Sequence, residues 1–170
     1  MHGRDDVGGR RQSAQGRNRP PRDWFETFYS EVYDVLGREV TVISGFSAVL
    51  DRLDRADLPY VVCSNGRLRK MEIMLTRIGE WERLRGSLYS AQELGRPKPV
   101  PDVYLKAAAD RGVAPADCVV VEDSMIGARA ARASGMRCLG YARTSNASGQ
   151  ALLVEQTFDS MDRLPELLGV

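Results

Sequence analysis

The sequence predicts an α/β protein, a Rossmann-like parallel sheet with helices on both faces. Short apolar runs alternate with segments of helical periodicity from about residue 60 to the end of the chain. The run Cys118–Val121 is continuously apolar, as in a strand buried on both faces. Glycines at 79, 112 and 135 close helical segments, and Pro101 opens one. At 170 residues the chain has room for one domain with at most a small appendage.

Taken in order, residues 1–22 hold six arginines, two aspartates, four glycines and two prolines, with almost nothing to bury. That text reads as a disordered Arg/Gly-rich leader. From Trp24 the texture changes. Trp24, Phe25, Phe28, Tyr29, Val32, Tyr33 and Leu36 recur at helical spacing and stop at Gly37, a plausible C-cap. Phe46, Val49, Leu50 and Leu53 suggest a second helix ending near Asp57. Tyr60–Cys63 reads as a strand, 67–78 as a helix and Leu88–Tyr89 as a weak strand. After the loop at 95–101 come a helix to Arg111, the strand at 118–121 and an Ala-rich helix over 125–134. Cys138–Tyr141 and Thr157–Phe158 read as strands, and Arg163–Leu168 as a final helix.

Composition excludes several classes. Apolar residues at 43% and charged residues at 28% are ordinary for a globular chain. No apolar run approaches the roughly 20 residues of a membrane-spanning helix, and the first thirty residues show no signal-peptide stretch. Cys63, Cys118 and Cys138 are too few and scattered for a disulfide framework or zinc site, and each sits in or beside an apolar run, as a reduced, buried thiol does. A cytoplasmic protein is expected. Residues 23–170 carry 18 basic and 21 acidic side chains, so the folded part offers no electrostatic footprint for nucleic acid.

Ligands of open parallel sheets gather beyond the carboxyl ends of the strands, and three polar clusters fall there. In VVCSNG at 61–66, Ser64 and Asn65 leave a strand just before a helix, which suits phosphate; a simple N-cap is the plain alternative. In GRPKPVPD at 95–102, Lys98 is one of only three lysines beside 21 arginines. Pro97 and Pro99 restrict its backbone, and its compact ammonium can neutralise phosphate charge; a solvated loop lysine is the alternative. In VVVEDSMIGARAARASG at 119–135, a strand delivers Glu122 and Asp123 side by side at its end. Paired carboxylates there suit Mg²⁺, although Asp123 or Ser124 could simply cap the helix.

Together these clusters resemble the second, third and fourth motifs of the haloacid dehalogenase-like (HAD) superfamily. The likeness is closest to its phosphoglycolate phosphatase and β-phosphoglucomutase-like branch. The resemblance implies that Ser64 and Asn65 hold a transferring phosphoryl group, that Lys98 stabilises it, and that Asp123 with Glu122 binds Mg²⁺. After the leader over 1–22, it also implies a remnant of a helical cap over 23–44 and a HAD-like core over 45–170. The superfamily's first motif, a central strand ending Asp-x-Asp, supplies the aspartate nucleophile and a general acid/base. No Asp-x-Asp occurs in this sequence. The expectation is therefore a core missing its first central strand, with two strand edges unpaired, and an N-terminally truncated reading of a Mg²⁺-dependent phosphatase. Its substrate would be a small phosphorylated metabolite. A non-catalytic protein that keeps phosphate and Mg²⁺ affinity is the competing class, and a phosphosugar mutase a further alternative.

Overall fold

The computed structural model describes residues 23–142 and 151–170; the leader expected over 1–22 lies outside the described residues. Two helices come first, α1 (Trp24–Glu39) and α2 (Phe46–Arg55). They lead into β1 (Val62–Ser64), α3 (Leu68–Arg77), α4 (Trp81–Leu84) and β2 (Leu88–Ser90). The second half contains α5 (Asp102–Asp110), β3 (Val119–Glu122), α6 (Met125–Ala133), β4 (Arg137–Tyr141), β5 (Gln156–Phe158) and α7 (Leu164–Leu168). Among the described residues no helix is long and apolar enough to cross a membrane.

All strand pairs are parallel, as the alternating pattern requires, but they form two sheets rather than one. β1 pairs with β2, Cys63 opposite Tyr89. β4 lies between β3 and β5, with Val120 opposite Cys138 and Gly140 opposite Thr157. No strand among the described residues joins β1 to β3, so each presents an open edge.

The open edge corrects one expectation. β3 is not buried on both faces: Val120 is buried, whereas Val121 is 37% exposed. None of the three β1 residues is fully buried either. A valine beside an unpaired edge lacks the neighbouring strand that would cover it. The cysteines follow the same logic. Cys138, on the central strand β4, is buried; Cys63 on β1 and Cys118 before β3 are only partly so.

Strand alternation sends successive residues to opposite cores. Leu139 joins Leu50, Leu53, Leu84, Phe158 and Leu164 on the face covered by α2 and α7. Cys138 and Val120 join Val103, Ala108, Ala128 and Ala131 on the face covered by α5 and α6. Helices thus flank both faces. The methyl-sized side chains of α6 allow its close approach, with Ala128, Ala130 and Ala131 wholly buried.

α1 differs from the sequence reading in its end. It continues through Gly37 to Glu39, because contact with α3 carries it on: Gly37 faces Ile73, and Arg77 Nε donates to the Arg38 carbonyl at 3.2 Å. Arg67 and Arg69 of the α3 start lie over the Tyr29 and Tyr33 rings, 5.1 and 5.9 Å from their centroids. No residue of α1 is buried, and Trp24, Phe25 and Phe28 remain exposed. The four-residue α4 escaped the sequence reading because one turn shows no period.

The two neighbouring valines of β3 provide a test of the open edge. Val120→Ala is expected to cost about 2 kcal/mol through lost burial and a residual cavity, and Val121→Ala less than about 0.5 kcal/mol. Urea unfolding of the two variants measures the difference; equal losses would show that the edge is covered.

Candidate functional site

The site is built at the carboxyl ends of β1 and β3. β1 ends at Ser64, whose Oγ accepts the Gly66 N–H at 2.9 Å and closes a tight turn. Ser90, at the end of β2, donates its hydroxyl to the Gly66 carbonyl at 2.8 Å. Asn65 then reaches across to the loop at 95–101. Its Oδ1 accepts the Lys98 N–H at 2.8 Å, and its Nδ2 donates to the Lys98 carbonyl at 3.2 Å. Asn65 thus clamps the Lys98 backbone from both sides.

The Lys98 side chain runs inward. Its Nζ donates to the Cys63 carbonyl at 3.0 Å, to the Tyr104 hydroxyl at 2.9 Å and to Glu122 Oε1. An ammonium has three protons, and here each has an acceptor. Lys98 and Glu122 form a buried ion pair, with side chains 8% and 9% exposed. Glu122 Oε1 also accepts from the Tyr104 hydroxyl, and Oε2 from Ser124 Oγ at 2.9 Å. Ser124 accepts the Gly127 N–H at 3.0 Å and so caps α6 as well. Gly127 leaves room for the carboxylate: a Cβ there would lie 1.9–2.2 Å from its three atoms.

Electrostatics follow from burial and charge. Burial alone would raise the Glu122 pKa, but Lys98 and the donors Tyr104 and Ser124 hold it below the usual carboxylate range. Burial pushes the Cys63 thiol up to about 12 against the opposing Lys98 charge, so it is no thiolate nucleophile. Burial and the adjacent Glu122 carboxylate raise Tyr104, which therefore stays a protonated donor.

Direct hydrogen bonds bring Asn65, Lys98 and Glu122 together, with Ser64 and Asp123 next to them in the chain. Ser64 and Asn65 do not cap α3. That helix begins after Arg67 without a side-chain cap, and its Leu68 N–H donates to the Glu93 carboxylate at 2.9 Å. The two acids of β3 part company: Glu122 is buried against Lys98, whereas Asp123 is exposed. Among the described residues no group of three or more His, Cys, Asp or Glu gathers to hold a metal. Sequence reasoning missed the part played by Tyr104, whose place on the apolar face of α5 reads as core, and by Glu93, a loop acid with no local signal.

Residues 9–141 match the family described as haloacid dehalogenase-like hydrolase, and the chain belongs to that family. It is 31% identical over 131 residues to a haloacid dehalogenase-like hydrolase domain-containing protein of Arabidopsis thaliana, covering 76% of this chain and 40% of that protein. It is 26% identical over 140 residues to the 6-phosphogluconate phosphatase of Escherichia coli, covering 82% of this chain and 62% of that enzyme. A HAD family hydrolase from Deinococcus radiodurans, solved with bound phosphate and sodium, superposes with a TM-score of 0.77 at 28% identity. That match covers 88% of this chain and 68% of the Deinococcus chain. The chain therefore spans less than two thirds of both curated relatives.

Two variants test the buried pair. On an open helix Gly→Ala stabilises by about 1 kcal/mol; Gly127→Ala is expected to destabilise by about 1–3 kcal/mol through overpacking against Glu122, read by urea unfolding. Glu122 also sets a pH dependence. Because its folded pKa lies below the unfolded value of 4.5, its contribution is complete above that value and lost as pH falls through the folded one. Glu122→Gln is expected to be less stable at pH 7 and to lose part of the acid sensitivity of the parent chain. An unchanged acid limb in urea titrations at several pH values would refute this.

Proposed function

We propose that this chain contributes the phosphate- and Mg²⁺-binding loops of a phosphatase acting on a small phosphate monoester. The observation that carries this reading is Lys98, whose amine bonds directly to both strand ends, at Cys63 and Glu122. Ser64 and Asn65 are the polar groups beside it for phosphoryl oxygens, and Lys98 supplies a compact positive charge for them. Asp123 offers an exposed carboxylate at the end of β3. Hard oxygen donors of this kind fit Mg²⁺, which takes one or two carboxylates with water and phosphate oxygens. Asp123, with Glu122 behind it, would hold the ion, whose charge would neutralise phosphoryl oxygens. The E. coli relative's name and the phosphate in the Deinococcus structure support this choice of ligand. We assign residues 23–44 to the remnant of a helical cap and 45–170 to the core.

The 170 residues contain no Asp-x-Asp, so they supply no carboxylate in the nucleophile's motif. The chain by itself binds phosphate and Mg²⁺ without turnover. Titration calorimetry with inorganic phosphate in Mg²⁺ buffer tests this. Binding is expected, weakened at least about tenfold by Lys98→Met, in keeping with loss of a positive charge beside the anion. Asp123→Ala should lower Mg²⁺ affinity. No phosphate binding, or binding indifferent to Lys98, would refute the site; hydrolysis of p-nitrophenyl phosphate that disappears in Asp123→Ala would refute the claim of binding without turnover.

A further inference from the structure

We propose that Tyr104 is a positioning residue for Lys98, its hydroxyl fixing where the ammonium sits between β1 and β3. The inference rests on the reading of Lys98 as the phosphate-facing cation. Tyr104 enters from the first turn of α5 and is buried at 6% exposure. Its hydroxyl accepts from Lys98 Nζ at 2.9 Å and donates to Glu122 Oε1, so one oxygen bridges both members of the ion pair. The Lys98 ammonium also lies 4.9 Å from the Tyr104 ring centroid, a cation–π distance.

The geometry separates two jobs of the side chain. The ring fills space beside Val103 and Ala108 in the α5–α6 core, and phenylalanine would do that equally well. Only the hydroxyl completes the ammonium's third hydrogen bond. The other two acceptors, the Cys63 carbonyl and Glu122, stand on different strands that share no backbone pairing. Without the hydroxyl, two ammonium protons keep their acceptors and the third has none, so the amine is held at two points instead of three. Tyr104 therefore aims Lys98, and does so without touching a substrate itself.

Lysine side-chain ¹⁵N NMR reads this directly, because the chain has only three lysines and two of them serve as controls. In the parent chain, without phosphate, the Lys98 ammonium protons should exchange with water far more slowly than those of Lys106, whose side chain is 47% exposed. Tyr104→Phe should speed Lys98 exchange by about tenfold, the least expected from one hydrogen bond to a charged group. It should leave Lys106 unchanged and the chain folded. A Lys98 signal unaffected by Tyr104→Phe, or one exchanging as fast as Lys106 in the parent, would overturn the proposal. Should the variant not fold, the Tyr104 hydroxyl proton of the parent decides: slow exchange supports the bridge, fast exchange overturns it. Phosphate is absent throughout. Failure of the anion-site reading would appear separately, as no shift of the Lys98 signal when inorganic phosphate is added.

Discussion

The buried ion pair between Lys98 and Glu122 is the interaction on which the arrangement depends. Two charges taken out of water are costly unless their remaining bonding capacity is filled, and leaving one without the other costs about 3–5 kcal/mol. Here the capacity is filled. The ammonium has three acceptors, and the carboxylate receives Tyr104 and Ser124 besides Lys98. Every partner belongs to a different local element, so the pair holds together the end of β1, the loop before α5, the first turn of α5, the end of β3 and the cap of α6.

That linkage matters because the backbone does not provide it. β1 and β3 belong to separate sheets among the described residues. What spans the gap is a lysine side chain, bonded to a β1 carbonyl on one side and a β3 carboxylate on the other. The two apolar cores support the same bridge from outside, since each takes side chains from both sheets: Val62 and Val119 in one, Cys63 and Val120 in the other. The open edges show in the half-covered β1 and in Val121.

Membership of the haloacid dehalogenase-like family fits a scaffold whose polar loops gather at the strand ends. The buried pair gives those loops a fixed geometry. Charge is the economical way to specify that geometry. A methylene can be accommodated in several rotamers, whereas an ammonium in a low-dielectric interior settles only where its protons meet acceptors.

Much of this was legible in the residues themselves. Strand and helix order followed from apolar periodicity, because each element must bury one face or both. The segment ends followed from Gly112, Gly135 and Pro101, whose backbone limits are local. Ser64, Asn65, Glu122 and Asp123 could be singled out because they stand at strand ends, and Lys98 because it is one of only three lysines and lies between two prolines. The sequence could not separate Glu122 from Asp123. Adjacent acids look alike until a fold turns one toward Lys98 and leaves the other in water. Nor could it reveal that Tyr104 is more than core, that Gly127 vacates the volume of a carboxylate, or that Val121 is uncovered. Local rules fix what a segment becomes. Who meets whom across a core is set by packing between residues far apart in the chain, and only the tertiary structure contains that information.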